Sequence, residues 1–204
     1  MGIPVLILGE SGSGKSTSMR NFDVEEVGIF NVASKPLPFR KKLNKRDGAT
    51  YGLIAKALAD PKLKKYVIDD SQYLMAFEMF DKAKETGYGK FTDMALHFKG
   101  LIDQVIKGTP ADVIVYFLHH TQKTELGIKA KTVGKMLDDQ LTVEGLFSIV
   151  LRTRVENGKY TFVTQTDGTD TVKSPMDMFE REIDNDLKFV DQKIREYWEL
   201  GKEK

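Results

Sequence analysis

The sequence predicts an α/β fold, with a mostly parallel sheet flanked by helices, an antiparallel hairpin at one edge and a C-terminal helix. Three observations carry this reading. Short apolar runs occur at Ile3–Leu8, Lys65–Ile68 and Val113–Leu118. Strands that are apolar on both sides belong inside a sheet covered on both faces. Segments with apolar residues at helical spacing separate these runs, and strands alternating with helices imply parallel pairing. Late in the chain, Asn157-Gly158 stands between two alternating segments, which is a strong two-residue hairpin signal.

The elements follow in chain order. Ile3–Leu8 (IPVLIL) is a buried, central, parallel strand that ends at Gly9. After a glycine-rich turn, Ser16–Phe22 begins a helix, and Val27–Ala33 is a second strand. Ser34–Gly48 is polar, with five basic residues from Arg40 to Arg46, and is expected as an exposed loop. Gly52–Ala59 is helical and stops before Asp60-Pro61. Lys65–Ile68 is the third strand, and Ser71–Lys84 the helix after it, with Leu74, Phe77, Met79 and Phe80 at helical spacing. Glu85–Lys90 is a loop with two glycines, and Thr92–Ile106 an amphipathic helix closed by Gly108 and Pro110. Val113–Leu118 is the fourth strand, and Thr121–Lys135 a polar stretch with four lysines. Leu146–Val155 and Tyr160–Gln165 form the hairpin, and a helix runs from about Met178 to Leu200.

Composition limits the possible functions. The chain has 204 residues, which suits one domain spanning 1–204. It carries 31 Lys+Arg against 30 Asp+Glu, so any argument for nucleic-acid binding must rest on local patches. There is no cysteine, which excludes disulfides, thiolate nucleophiles and Cys-based metal sites. The three histidines, His97, His119 and His120, are too few for a metal cluster, and His97 reads as packing. No apolar run approaches the ~20 residues that span a bilayer, and no secretory leader is evident. The expectation is a soluble, cytoplasmic protein without a membrane partner.

The most informative segment is Gly9-Glu10-Ser11-Gly12-Ser13-Gly14-Lys15-Ser16, which fits G-x-x-x-x-G-K-[ST] without a mismatch. Its glycines let the backbone curl so that successive N–H groups point at phosphate oxygens. The helix after it adds the positive end of its dipole. Gly9, Gly12, Ser13 and Gly14 build the cradle, and Lys15 supplies a point charge to the terminal phosphates. Ser16 offers a hydroxyl to Mg²⁺, and Thr17 reaches the α-phosphate. The ligand this implies is the phosphate tail of a nucleotide with Mg²⁺. The acidic half of the site is Asp69-Asp70 at the end of the third strand, with Asp69 for the metal and Asp70 to polarise the attacking water. Asp70 or Ser71 also suits a helix N-cap. Ligands in such sheets sit beyond the carboxyl ends of the strands. One of His119, His120, Thr121 and Gln122 is therefore expected to sense the γ-phosphate, with His120 and Gln122 given catalytic roles.

At this point the chain resembles a known family. The phosphate loop, the segments at 67–75 (VIDDSQYLM) and 31–39 (NVASKPLPF), Glu85–Phe91 and Thr171–Met176 are similar to phage-encoded single-domain P-loop ATPases. These proteins have a minimal RecA-like core, and their Sak-type members anneal single strands in phage recombination. The resemblance covers most of the chain. It implies a RecA-like fold, ATP and Mg²⁺ binding, single-stranded DNA binding and self-assembly into rings or filaments, with a single-strand-binding or replication protein as a possible partner. It also places two DNA-facing loops, at Glu85–Phe91 and Gln122–Lys135. One departure stands out. RecA-like ATPases carry a glutamate at the end of the strand after the phosphate-loop helix, but this chain reads Asn31-Val32-Ala33-Ser34-Lys35 there. Either Asp70 replaces that acid or turnover is slow.

Single strands need cations for phosphates and flat apolar faces for bases. The first loop offers Tyr88, Lys90 and Phe91, the second Lys123, Lys129, Lys131 and Lys135. Arg40, Lys41, Lys42, Lys45 and Arg46 form a third basic patch. Lys173, after the hairpin, is a candidate cation for a neighbouring subunit's nucleotide. The leading expectation is an ATP-dependent recombination or annealing ATPase. A nucleotide-gated helicase loader or replication adaptor is the alternative. A small-molecule kinase is disfavoured, because the 121–135 stretch has no arginine to close over a substrate.

Overall fold

The computed structural model describes residues 1–125, 127–134 and 141–201. Among them, nine strands form a sheet ordered β3-β2-β4-β5-β1-β7-β8-β9, with β6 paired to β5. The strands are β1 (Ile3–Gly9), β2 (Gly28–Asn31), β3 (Lys45–Asp47), β4 (Lys65–Asp69), β5 (Ile114–Thr124), β6 (Gly127–Ala130), β7 (Ile149–Glu156), β8 (Lys159–Val163) and β9 (Glu182–Asp184). The helices are α1 (Tyr51–Ala59), α2 (Gln72–Asp81), α3 (Gly89–Gly108) and α4 (Leu187–Tyr197). From β3 to β7 every neighbouring pair is parallel, and β6, β8 and β9 join antiparallel. The expected α/β class, parallel centre and antiparallel edge are all present.

The period of two along the strands divides the core into two layers. On β1, Leu6 and Leu8 face the cluster under α1, α2 and α3, where Ile54, Met75, Phe98 and Ile102 are buried. Val5 and Ile7 face the opposite cluster, with Met19, Phe22, Leu187, Val190 and Ile194. The central strands are thus buried on both sides, which is why they read as unbroken apolar runs. On α4, Asp191 is fully buried but not alone. It accepts from the Tyr116 hydroxyl at 2.9 Å and from Arg195 Nε at 2.8 Å, and Lys65 Nζ lies 3.3 Å away.

Four expectations need correction. The segment after the phosphate loop is a 3-10 helix over Ser16–Asn21, not an α-helix. Ser16-Thr17-Ser18 is poor helix sequence, and the Ser18 hydroxyl bonds to the Lys15 carbonyl at 2.6 Å. Six residues of 3-10 helix carry little macrodipole, so the dipole contribution expected for phosphate is small. Within the expected loop at 34–48, Lys45–Asp47 pairs with β2 as an edge strand. All three residues are exposed and charged, which hides a strand from any hydrophobic-pattern reading and blunts the edge.

The polar 121–135 stretch holds an antiparallel hairpin, since β5 continues to Thr124 and turns back as β6. Its turn uses Gly127 at φ 123°, where a Cβ would lie 2.3 Å from the Thr169 carbonyl oxygen. The C-terminal helix starts at Leu187, because Glu182–Asp184 is taken by β9. Asp186 caps it, with Oδ1 accepting from the backbone of Lys188 at 2.9 Å and Phe189 at 3.3 Å. The β7–β8 turn is as expected: Asn157 and Gly158 both have positive φ, which a tight hairpin needs.

Candidate phosphate site

β1 ends in the phosphate loop, and the loop is braced from β7. The Thr153 hydroxyl donates to Ser13 Oγ at 2.7 Å, and the Ser13 hydroxyl donates to the Glu10 carbonyl at 2.7 Å. A Cβ on Gly9 would stand 2.0 Å from Thr153 Oγ1, so this close approach requires glycine. Gly14 has φ 94°, and a Cβ there would meet the Tyr160 ring at 2.8 Å.

Strand order decides what faces the loop. β5 lies between β1 and β4. Asp69 at the end of β4, Asp70 after it, and His119 and His120 of β5, in register with Leu8 and Gly9, therefore lie beside the loop. One cavity of about 240 Å³ is lined by Ser11, Gly12 and Gly14–Thr17 of the loop, by Lys35, Pro36 and Pro38, and by Asp69, Asp70, His120 and Tyr160, whereas the predicted phosphate residues Gly9 and Ser13 line a separate groove with Lys123 and Thr153. Pockets that bury a whole small ligand run from about 300 to 1,000 Å³. This one suits a phosphate tail with the remainder outside. A larger cavity, about 600 Å³, lies by β9 and α4. Five acids line it (Asp177, Glu180, Glu182, Asp184 and Asp186), so its chemistry opposes phosphate.

The side chains around the smaller cavity are tightly paired. Ser16 Oγ donates to Asp69 Oδ1 at 2.8 Å. Lys15 Nζ is turned onto its own loop, donating to the carbonyls of Gly9 at 2.9 Å and Glu10 at 2.8 Å. Burial lowers the Lys15 ammonium to about 8, against the attraction of Asp70 and Asp69. Burial raises Asp69 to about 6, opposed by the Ser16 hydrogen bond and aided by the neighbouring Asp70. Burial pushes Asp70 up as well, but His120 and Lys35 outweigh it and hold its carboxyl down at about 2. A group so acidic is a poor proton acceptor near neutrality. This low value weighs against the water-polarising role expected of Asp70.

The two histidines separate. His120 lines the cavity, with Nε2 3.2 Å from Asp70 Oδ1 but too poorly aligned for a hydrogen bond. His119 is fully buried on the other side. Its Nε2 donates to the Lys131 carbonyl at 2.9 Å, which leaves Nδ1 to accept from the Ser71 hydroxyl at 2.9 Å. Burial pushes His119 down to about 4, so it is neutral in the folded protein. An unfolded histidine titrates near 6.5. Between those values the unfolded chain holds the extra proton, and stability falls as pH drops through that window. Asp69, pushed up to about 6, takes up its proton in the folded state over the same range and offsets this loss in the wild type. In thermal or urea melts from pH 7 to 4, the wild type should therefore lose roughly 2–3 kcal/mol relative to His119→Gln, and parallel curves would refute the assignment.

Other expected residues fall outside this cavity. Gln122 is two residues farther along β5 than His120 and does not line it. Lys173 is exposed and forms a two-bond bridge with Val150, also away from it. Of the expected DNA loops, Tyr88 is 88% exposed, whereas Phe91 packs against the helix-side core. A Cβ on Gly134 would lie 3.2 Å from the Phe91 ring, so the two loops adjoin. Lys90 Nζ donates to the Glu85 carbonyl at 2.8 Å, and Lys123 pairs with Glu10 at 3.3 Å. Lys129 is half-buried on β6, Lys131 is exposed just after it, and Lys135 lies outside the described residues. In the third basic patch, Lys41 pairs with Asp23 and Lys45 with Asp47. His97, expected to be a packing residue, is instead exposed on α3, with Nδ1 2.8 Å from Glu78 and one face of its ring near Tyr51.

Sequence reasoning missed Lys35 and Tyr160 as cavity residues. The only signal for Lys35 was its place beside the missing acid. Among the described residues no cluster of three or more His, Cys, Asp or Glu forms a metal site, and no helix is long and apolar enough to cross a membrane. Neither a family model nor a curated protein matches this chain.

Proposed function

We propose that this chain is a RecA-like P-loop ATPase that binds ATP with Mg²⁺ and single-stranded DNA, acting in phage recombination or strand annealing. The observation that carries the nucleotide half is the 2.8 Å contact of Ser16 with Asp69, beside Lys15, at the mouth of the glycine loop. Ser16 and Asp69 bring hard oxygen donors together, which suits Mg²⁺, and they would hold it. Bound there, the ion would supply positive charge to the phosphate oxygens.

Lys15 exchanges its loop carbonyls for the terminal phosphates, while backbone N–H groups of the loop hold the phosphate tail. Asp70 and His120 orient a water. Its oxygen bonds to the γ-phosphorus as the bond to the β–γ bridging oxygen breaks. The electron pair leaves with ADP, and the water's proton passes to the released phosphate.

The DNA half draws support from the adjoining of the two loops at Phe91 and Gly134. Tyr88 presents a free aromatic face, and Lys123 lies in a groove with Arg152 and Arg154. Loader or adaptor function is the second reading. It is favoured by the exposed apolar residues Phe77, Met79 and Phe80 on α2.

The deciding experiment is ATP turnover with and without single-stranded DNA, at low and moderate salt. The recombinase reading expects DNA-stimulated turnover that weakens as salt rises, because each phosphate contact adds to the salt slope. Turnover that ignores DNA would remove that reading and favour the loader.

A further inference from the structure

The phosphate cavity contains a cation that the glycine-loop motif does not account for. Lys35 Nζ donates to Asp70 Oδ2 at 2.9 Å and lies 4.9 Å from the centre of the Tyr73 ring. The pair sits on an unusual backbone. Ser34, just before Lys35, has φ 56°, and Asp70 has φ 61°. Non-glycine residues in this region persist only where their surroundings hold them, and they cluster at functional sites. Here Asn31, itself buried, holds the turn by donating from Nδ2 to the Lys35 carbonyl at 2.7 Å and to the Asp47 carboxylate.

The two partners differ in freedom. The Asp70 side chain is 11% exposed and fixed at the start of α2, whereas the Lys35 side chain is 58% exposed. Only Lys35 is free to swing. Beside the pair, His120 lines the cavity with Nε2 3.2 Å from Asp70 Oδ1, so Asp70 keeps a neighbouring partner when Lys35 leaves it.

Charge balance gives the consequence. A triphosphate seated on the glycine loop brings its last phosphate toward Asp69 and Asp70, two carboxylates that repel it. A terminal phosphate carries more charge and more acceptor oxygens than one carboxylate, so it outcompetes Asp70 for an ammonium group. We infer that Lys35 is a γ-phosphate ligand: ATP draws it off Asp70, and ADP leaves the Lys35–Asp70 pair intact. Asp70 is thereby released to orient water only when the third phosphate is present. The inference rests on the ATP-binding reading above and adds to it a residue that tells ATP from ADP.

The test is calorimetric titration of the full chain with a slowly hydrolysed ATP analogue and with ADP, each with Mg²⁺. Lys35→Met keeps the aliphatic stem over Tyr73 and removes the charge. It should weaken the triphosphate about tenfold or more and change ADP by less than about twofold. Asp70→Asn removes the competitor and should leave triphosphate binding as tight or tighter, with ADP unchanged. Equal losses for both nucleotides in Lys35→Met, or no loss for either, would overturn the inference while the ATPase reading stands. A wild-type chain that binds neither nucleotide would overturn both. Melting curves of the variants serve as the control that the fold is retained.

Discussion

Lys15→Ala is expected to weaken Mg-nucleotide binding by on the order of 100-fold and to bring turnover to background. Lys15 is 5% exposed, and its ammonium group sits at the centre of the glycine loop, bonded to two loop carbonyls. Removing one member of a desolvated, hydrogen-bonded charge pair costs about 2–5 kcal/mol, and tenfold in affinity is about 1.4 kcal/mol. The phosphates would lose their nearest fixed cation while Asp69 and Asp70 remain. ATP and ADP should both suffer, unlike in Lys35→Met. Lys15→Met preserves the buried stem and separates lost charge from lost packing. A Lys15→Ala protein that still binds nucleotide within about threefold of wild type would remove the loop from the site.

Phe117→Ala is expected to be the most destabilising of the substitutions considered, by about 3–5 kcal/mol. Phe117 is fully buried on β5, and two rings meet it edge to face: Phe98 of α3 at 6.4 Å and Phe147 at 5.4 Å. Truncation loses the transfer energy of the ring, leaves a cavity and breaks both aromatic contacts. β5 pairs on both sides, with β1 and with β4, so the surrounding backbone has little freedom to close the gap. Urea denaturation with the slope held constant measures the loss directly. A shift under about 1 kcal/mol would mean that the helix layer repacks over β5.

Different parts of the protein were legible for different reasons. The turn from Gly9 to Ser16 was legible because its glycines mark where the backbone takes positive φ, at Gly12 and Gly14, or passes close to a neighbour, at Gly9. Asp69 was legible as an acid closing an apolar strand. β3 was not legible because it is exposed and charged, and the β5–β6 hairpin was not because its half-buried stretch is dominated by Thr, Gln and Lys. The false extension of the C-terminal helix came from accepting Ile183 as part of its apolar face, while Asn185-Asp186 already marked a cap.

The amino-acid sequence by itself determined the α/β class, the parallel centre, the glycine loop and the Asn157-Gly158 turn. Each is a local matter of side-chain period or of permitted φ and ψ. Only the tertiary structure decided that β5 separates β1 from β4, that His120 faces the cavity while His119 is sealed behind it, and that Lys35 pairs with Asp70. Those facts depend on strand order and on which way a strand presents alternate side chains. Residues far apart in the chain meet only after the sheet has assembled, and no local pattern encodes the distance between them.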